Sequence, residues 1–294
     1  MNRTICSLIA ALAVGAASVH AETGGRAMMG PPPPIESSYL SVVPTAHVTR
    51  SLDLDLAGVG VFLGESTSRS RGSARLGVGD IAEVEVSTIS MLSSLSKANK
   101  MSHVAGGGLK VAFPVWRNLR GVAVSFRRSG ANEERVNGHD YSQKVGEFSV
   151  ITSAANFATA AEGAAATGGW LGTKVKGHFG VTYLDARLDN SGAAIKKGFL
   201  RPFGGVEIWR GDTQVPHTRV MAEVGWLPHF ASVEKIRDEW VAVGGIRFFY
   251  HRYGSFDIGV RYQSNYDGLS ESTLQAQLRL GWPTHLIRDR IVGM

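Results

Sequence analysis

From about Tyr39 onward the apolar positions of the chain recur every second residue. Phe256, Ile258, Val260 and Tyr262 alternate with Asp257, Gly259, Arg261 and Gln263. Leu274, Ala276, Leu278, Leu280 and Trp282 alternate with Gln275, Gln277, Arg279 and Gly281. Leu171, Thr173, Val175, Phe179, Val181 and Tyr183 alternate with Lys174, Lys176, His178 and Thr182. An extended chain sends successive side chains to opposite faces, so each stretch predicts a strand with one apolar and one polar face. Leu52, Leu54 and Leu56 alternate with Asp53 and Asp55; the phase then slips at Ala57-Gly58 to Val59, Val61 and Leu63, which predicts a bulge. Further strands fit Asp80–Met91, Val104–Phe113, Arg120–Phe126, Tyr141–Ser153, Phe199–Trp209, Thr218–Trp226 and Trp240–Tyr250, with Tyr39–Val48 as a weaker candidate. That makes eleven clear strands and one weak one.

Short turns at His251–Gly254, Phe113–Leu119 and Arg210–Pro216 join neighbouring strands as antiparallel hairpins. Longer polar connections are expected at Gly64–Gly79, Leu92–His103, Arg127–Asp140, Ala154–Gly169 and Asp185–Lys197, with a short helix in Ala154–Ala166. A soluble β-sandwich shares the alternation, because one face of each strand packs in its core. Strand length favours the other arrangement. Soluble strands average about 5–6 residues, whereas a strand crossing a bilayer needs about 9–11. Leu171–Tyr183 and Leu274–Trp282 reach that length. No stretch after the first residues is apolar enough for a membrane helix, so a membrane-spanning form of this chain is a closed barrel.

Composition agrees. The 36 glycines in 294 residues are about 12%, against about 7% usually, as bends and close backbone approaches require. Arg3, the apolar Ile5–Ser18 and Val19-His20-Ala21 read as a secretory signal cut after Ala21. Residues 22–38, with Pro31–Pro34, read as a polyproline spacer, 39–282 as one barrel domain and 283–294 as a tail. Cys6, the only cysteine, lies inside the signal, so the mature chain has no thiol, disulfide or Cys-based metal site. Without Arg3, 30 basic residues face 25 acidic ones, scattered instead of clustered, which gives no footprint for nucleic acid.

In these features Tyr39–Trp282 resembles generic Gram-negative outer-membrane β-barrels, an architectural likeness and not one to a specific family. The resemblance implies an all-β fold: a single antiparallel transmembrane barrel of twelve strands, or ten if the weakest drop out, since such barrels take an even number. It places the protein in the outer membrane, with outer-membrane lipid and lipopolysaccharide as partners. Trp170, Tyr183, Trp209, Trp226, Trp240, Tyr250, Tyr262 and Trp282 end the apolar faces and would form the aromatic girdles. The opposite faces would line the lumen with Asp53, Asp55, Glu83, Glu85, Glu207, Glu223, Asp257, Lys110, Lys174, Lys176, Arg219, Arg247, Arg261, Arg279 and His178. Mixed charges in a narrow lumen pair with one another, which favours a closed interior. Asp53 and Asp55 on the first strand are expected to pair with Arg279 on the last, across the closing seam. Such strands end on an aromatic residue; here Trp282 is followed by Pro283–Met294.

Catalytic signals are sparse. Tyr262-Gln263-Ser264-Asn265 resembles the His-x-Ser-Asn stretch of outer-membrane lipases and lipid A deacylases, but Tyr262 stands where the base belongs. His217, His229, His251 and His285 are isolated, without zinc-like spacing. Gly106-Gly107-Gly108 lacks the Lys and helix of a phosphate loop. Glu83 and Glu85 lie on one strand without the cleft that glycoside hydrolysis needs. The reading is therefore a non-enzymatic barrel without cofactor or metal, either a narrow porin-like channel or a structural protein. A soluble periplasmic β-rich binding domain is the alternative, and a lipid-modifying enzyme the third.

Overall fold

The computed structural model describes residues 37–63, 71–96, 100–113, 119–155, 173–190, 193–210, 218–251 and 253–284. The expected signal peptide, most of the spacer, Trp170, the helix expected in Ala154–Ala166 and nearly all of the tail lie outside them, as does the Lys174 side chain.

The described strands are β1 (Leu54–Leu63), β2 (Arg71–Val78), β3 (Ala82–Ser93), β4 (Lys100–Phe113), β5 (Leu119–Ser129), β6 (Asn132–Val136) and β7 (His139–Ala155). They continue with β8 (Thr173–Asn190), β9 (Ala193–Arg210), β10 (Thr218–Ser232), β11 (Lys235–His251), β12 (Gly254–Gln263) and β13 (Thr273–Trp282). Neighbours in sequence pair antiparallel except β5 and β6, and β1 pairs β13 from Leu54↔Trp282 onward. β5 and the short β6 share one stave, since both lie against β7. The result is a closed antiparallel barrel of twelve staves.

The count matches expectation, but the twelfth stave is a different segment. Arg71–Val78, read from sequence as part of a loop, is β2. Tyr39–Val48, read as the weak strand, runs inside the barrel as irregular chain. The expected loop Asp185–Lys197 is mostly strand, because β8 and β9 continue to Asn190 and from Ala193.

β7, β8, β9 and β11 hold 17 or 18 residues, well beyond the about 9–11 that cross a bilayer. The polarity of β8 swaps along its length. On β8 the lower inward residues are Lys176, His178 and Thr182, and the lower outward ones include Phe179 and Tyr183. Above Tyr183 the inward residues become Leu184, Ala186 and Leu188, while Asp185 and Arg187 point outward. The upper part therefore forms a water-exposed collar with its own apolar core. Leu184, Ala186 and Leu188 pack there with Ile89, Met91, Val145, Phe199, Phe230 and Ile236.

The tip of the β10–β11 hairpin helps to close this collar. β10 leaves β9 after the Val224↔Gly204 pair and crosses the mouth to β3, where His229 and Phe230 lie opposite Leu92 and Ser93. The Ser94 amide donates to the Phe230 carbonyl at 2.9 Å.

Candidate functional site: the plugged lumen

Residues 37–53 enter the barrel and turn back before β1. The turn closes where the Leu40 amide donates to the Val43 carbonyl and the Thr45 amide to the Ser38 carbonyl, both at 2.9 Å. Pro44, which has no N–H to leave unpaired, follows the turn. Leu40 and Thr45 are fully buried, and Tyr39, Val43 and Ala46 nearly so.

A buried irregular segment must find partners for its backbone outside any sheet ladder. Here the charged wall supplies them. One carboxylate, Glu223, accepts the amides of Ser41, Val42 and Val43 at 2.8–2.9 Å. Lys110 Nζ donates to the carbonyls of Ser38 and His47 at 2.9 and 3.0 Å. Arg279 donates to the Tyr39 carbonyl at 3.0 Å, and Arg247 to that of Leu40 at 3.3 Å. Glu83 accepts the amide and hydroxyl of Thr49, and also the Ser38 hydroxyl. The Ala46 amide donates to Ser153 Oγ at 2.8 Å. The Tyr39 ring carries Arg75, Lys110 and Arg127, each 4.8 Å from its centroid. Glycine makes the room: a Cβ on Gly205 would stand 2.5 Å from Leu40 Cδ1.

Two networks connect the remaining charges. Arg75 bridges Asp55 at 3.1 Å and Glu85 at 3.6 Å; Arg127 joins Glu85 to Glu147. Lys110 pairs with Glu83 at 3.1 Å. On the other side, Glu207 meets Arg219 at 2.8 Å, His178 at 3.1 Å and Arg247 at 3.9 Å; Arg247 also holds Asp257 at 2.8 Å. His178 Nδ1 lies 2.7 Å from Ser153 Oγ.

The structure thus places the described lumen residues as follows. Asp53, Asp55, Glu83, Glu85, Lys110, Lys176, His178, Glu207, Arg219, Glu223, Arg247, Asp257, Arg261 and Arg279 are all buried inside the wall. The seam does join β1 to β13, and the direct partners of Asp55 and Arg279 lie elsewhere. Asp55 pairs with Arg75 on β2, and Arg279 turns to the plug carbonyls. Sequence reading missed Arg71, Arg75 and Arg127, which it left in loops, and Glu147 on a strand it had found. It also missed the plug itself. Trp209 is corrected. Counting by twos from Glu207 places it inward, where Arg219 stacks on it at 4.7 Å; Trp226, also expected in the girdle, packs against the collar core instead.

Between the plug and the apolar collar a cavity of about 100 Å³ remains, with Arg75, Glu85, Ser87 and Gln277 among its lining. That is room for roughly three waters. At the mouth, Ser94 Oγ lies 2.7 Å from His229 Nε2, and His229 Nδ1 lies 3.1 Å from Glu239. Ser264 donates to Glu239 at 2.6 Å and accepts the Trp240 amide at 3.0 Å. The chain of contacts ties the hairpin tip to β3 and to the loop after β12. Among the described residues, no three His, Cys, Asp or Glu side chains gather to hold a metal ion.

The outside is the reverse of the inside. Leu76, Val84, Val86, Leu109, Phe126, Phe148, Phe179, Leu200, Val220, Ile246, Phe256, Val260 and Leu278 are all exposed. Tyr183 and Trp240 stand out from the upper part of this belt, Tyr250 and Trp282 from the lower, and Tyr262 packs on Trp240 at 5.4 Å. A closed wall that is apolar outside and charged inside belongs in a bilayer. The sandwich alternative is set aside, because these faces do not stack on one another. The chain is an outer-membrane β-barrel protein.

Solved barrels of the same kind are similar to it in outline. The translocator domain of the autotransporter NalP from Neisseria meningitidis matches 78% of this chain and 86% of its own, at 10% identity and a TM-score of 0.41. A loop-deleted OmpT of Vibrio cholerae matches 78% and 98%, at 13% identity and a TM-score of 0.35. OprB of Pseudomonas putida matches 81% and 94%, at 10% identity and a TM-score of 0.29. No protein-family model matches the chain, and no curated protein matches it in sequence.

Proposed function

We propose that this outer-membrane barrel is a non-enzymatic protein whose pore is held shut by its own residues 37–53. The capture of three consecutive plug amides by Glu223 carries the reading. A lumen evolved for steady solute flow gains nothing from turning its charges onto backbone. Of the two roles expected from sequence, a narrow channel and a structural barrel, the closed interior favours a barrel silent at rest that conducts only if the plug moves. The collar end then faces the outside, where outer-membrane barrels carry their larger extensions, and the apolar belt contacts outer-membrane lipid and lipopolysaccharide.

Planar-bilayer recording tests this. The protein should be nearly silent, and deletion of 37–49 should give steady conductance with the heat-modifiable gel shift of a folded barrel retained. Equal conductance of both forms would overturn it. Ser264 donates to Glu239 and accepts the Trp240 amide, and in this reading it serves the mouth of the barrel and not lipid chemistry.

A further inference from the structure

The wall is not zipped along its whole height. β8 and β9 pair throughout, from Thr173↔Arg210 to Asn190↔Ala193. β9 and β10 pair only over Gly204–Ile208 against Val220–Val224. Above that, β10 departs across the mouth and β9 keeps a partner on one side alone. Pro202, at the start of the unpaired stretch, has no N–H to offer an incoming strand. The parting is filled from within by Trp226, whose indole N–H donates to the Pro202 carbonyl at 2.7 Å. Arg201 stacks on that indole at 5.3 Å and is held by Asp238 of β11.

Outside this filling lies an open cleft of about 730 Å³. Its floor is apolar: Phe199 and Ile236 are nearly buried and Leu200 is exposed. Its rim carries Lys197, Lys235 and Arg237, all exposed. None of the three has a hydrogen-bond or ion-pair partner among the described residues. The one acid in the cleft, Asp238, is taken by Arg201.

The height of the cleft fixes what meets it. Leu200 lies opposite Tyr183, and Tyr183 opposite Phe148 and Phe148 opposite Phe126 across the next pairs. These are the last apolar outward residues; Asp185 and Arg128 stand in the row above. Free cations over an apolar floor, at the level where hydrocarbon gives way to headgroups, complement an anionic amphiphile. We propose that this cleft binds the phosphate headgroup of an outer-leaflet lipid, with the first part of its acyl chains over Leu200. The inference rests on the collar facing outside.

Native mass spectrometry of the detergent-purified full chain, titrated with diphosphoryl lipid A, tests the site. One lipid should stay bound, and fully dephosphorylated lipid A should not. A K197Q/K235Q/R237Q variant changes only exposed side chains and should bind on the order of a hundredfold more weakly, about fivefold for each cation. R135Q/K144Q/R187Q removes the same charge elsewhere on the collar and should bind as the unaltered protein does. Undiminished binding by the first variant, an equal loss in both, or displacement of the lipid by millimolar inorganic phosphate would overturn the proposal. Orientation is read separately from a Glu234→Cys variant exposed to a membrane-impermeant maleimide on intact cells. Labelling only after lysis overturns the orientation and with it the outer-leaflet source of the lipid. Normal labelling with lost selectivity for phosphate overturns the site alone.

Discussion

Glu223→Ala is the sharpest perturbation of the plug. The carboxylate accepts three amides at 2.8–2.9 Å in a site closed to bulk solvent. A hydrogen bond to a charged group contributes about 1.5–3 kcal/mol, and a buried amide left without a partner costs a similar amount. Three amides share two oxygens, and water from the neighbouring cavity can reach part of the vacated space, so the net loss should be about 3–5 kcal/mol. At about 1.4 kcal/mol per factor of ten, the balance between seated and released plug should move by roughly a hundredfold to a few thousandfold. Single-channel recording reads this as open probability. Glu223→Gln, which keeps an acceptor oxygen but turns an NH₂ toward the amides, should fall between the two. The heat-modifiable gel shift should persist in all three proteins, because the β10 ladder does not use this side chain. If the Ala variant stays as silent as the original while folding normally, Glu223 does not hold the plug and the reasoning fails.

Gly205→Val should also unseat the plug, because its Cβ would stand 2.5 Å from Leu40 Cδ1; conductance above the parent's with normal assembly is the expected result. Gly180→Val should instead block assembly, since its Cβ would meet the Val150 carbonyl oxygen at 2.0 Å, and folding yield into detergent micelles reads it. Ser94, His229 and Glu239 stand in the order of a hydrolase relay. The non-enzymatic reading predicts that a fluorophosphonate probe leaves Ser94 unlabelled; stoichiometric labelling there would contradict it. Ser264→Ala should leave lipid release from membranes unchanged.

The periodicity of two revealed most of the wall, because at membrane depth each strand faces hydrocarbon on one side and charge on the other. It failed where those surroundings change. In β2 the outward row begins with Gly72 and Ala74, too small to announce an apolar face, so Arg71 and Arg75 were read as loop. In Tyr39–Val48 the alternation reports extended chain, but the chain lies among charged side chains and not beside a strand. Above Tyr183 the polarity of β8 swaps, so Asp185 and Arg187 look like the end of the strand when they are its continuation in water. Trp209 was assigned to the girdle by residue type, while its phase with Glu207 already placed it inside. Topology alone brings Asp53 and Asp55 toward Arg279, but the direct contacts of Asp55 and Arg279 go to β2 and the plug, which the pattern of the chain does not announce.

The swap on β8 also acts as a waterline drawn into the protein. If the barrel sank by two residues, Asp185 and Arg128 of the same row would enter oil, while Phe179 would near the inner edge. The penalty for a charge grows with depth, from under about 1 kcal/mol near the interface to about 2–4 for Arg or Lys at the midplane. Because β5 carries Arg128 in the same row, its cost adds to that of Asp185. The barrel therefore floats at one level, and the cleft between β9 and β10 is kept at the surface of the leaflet.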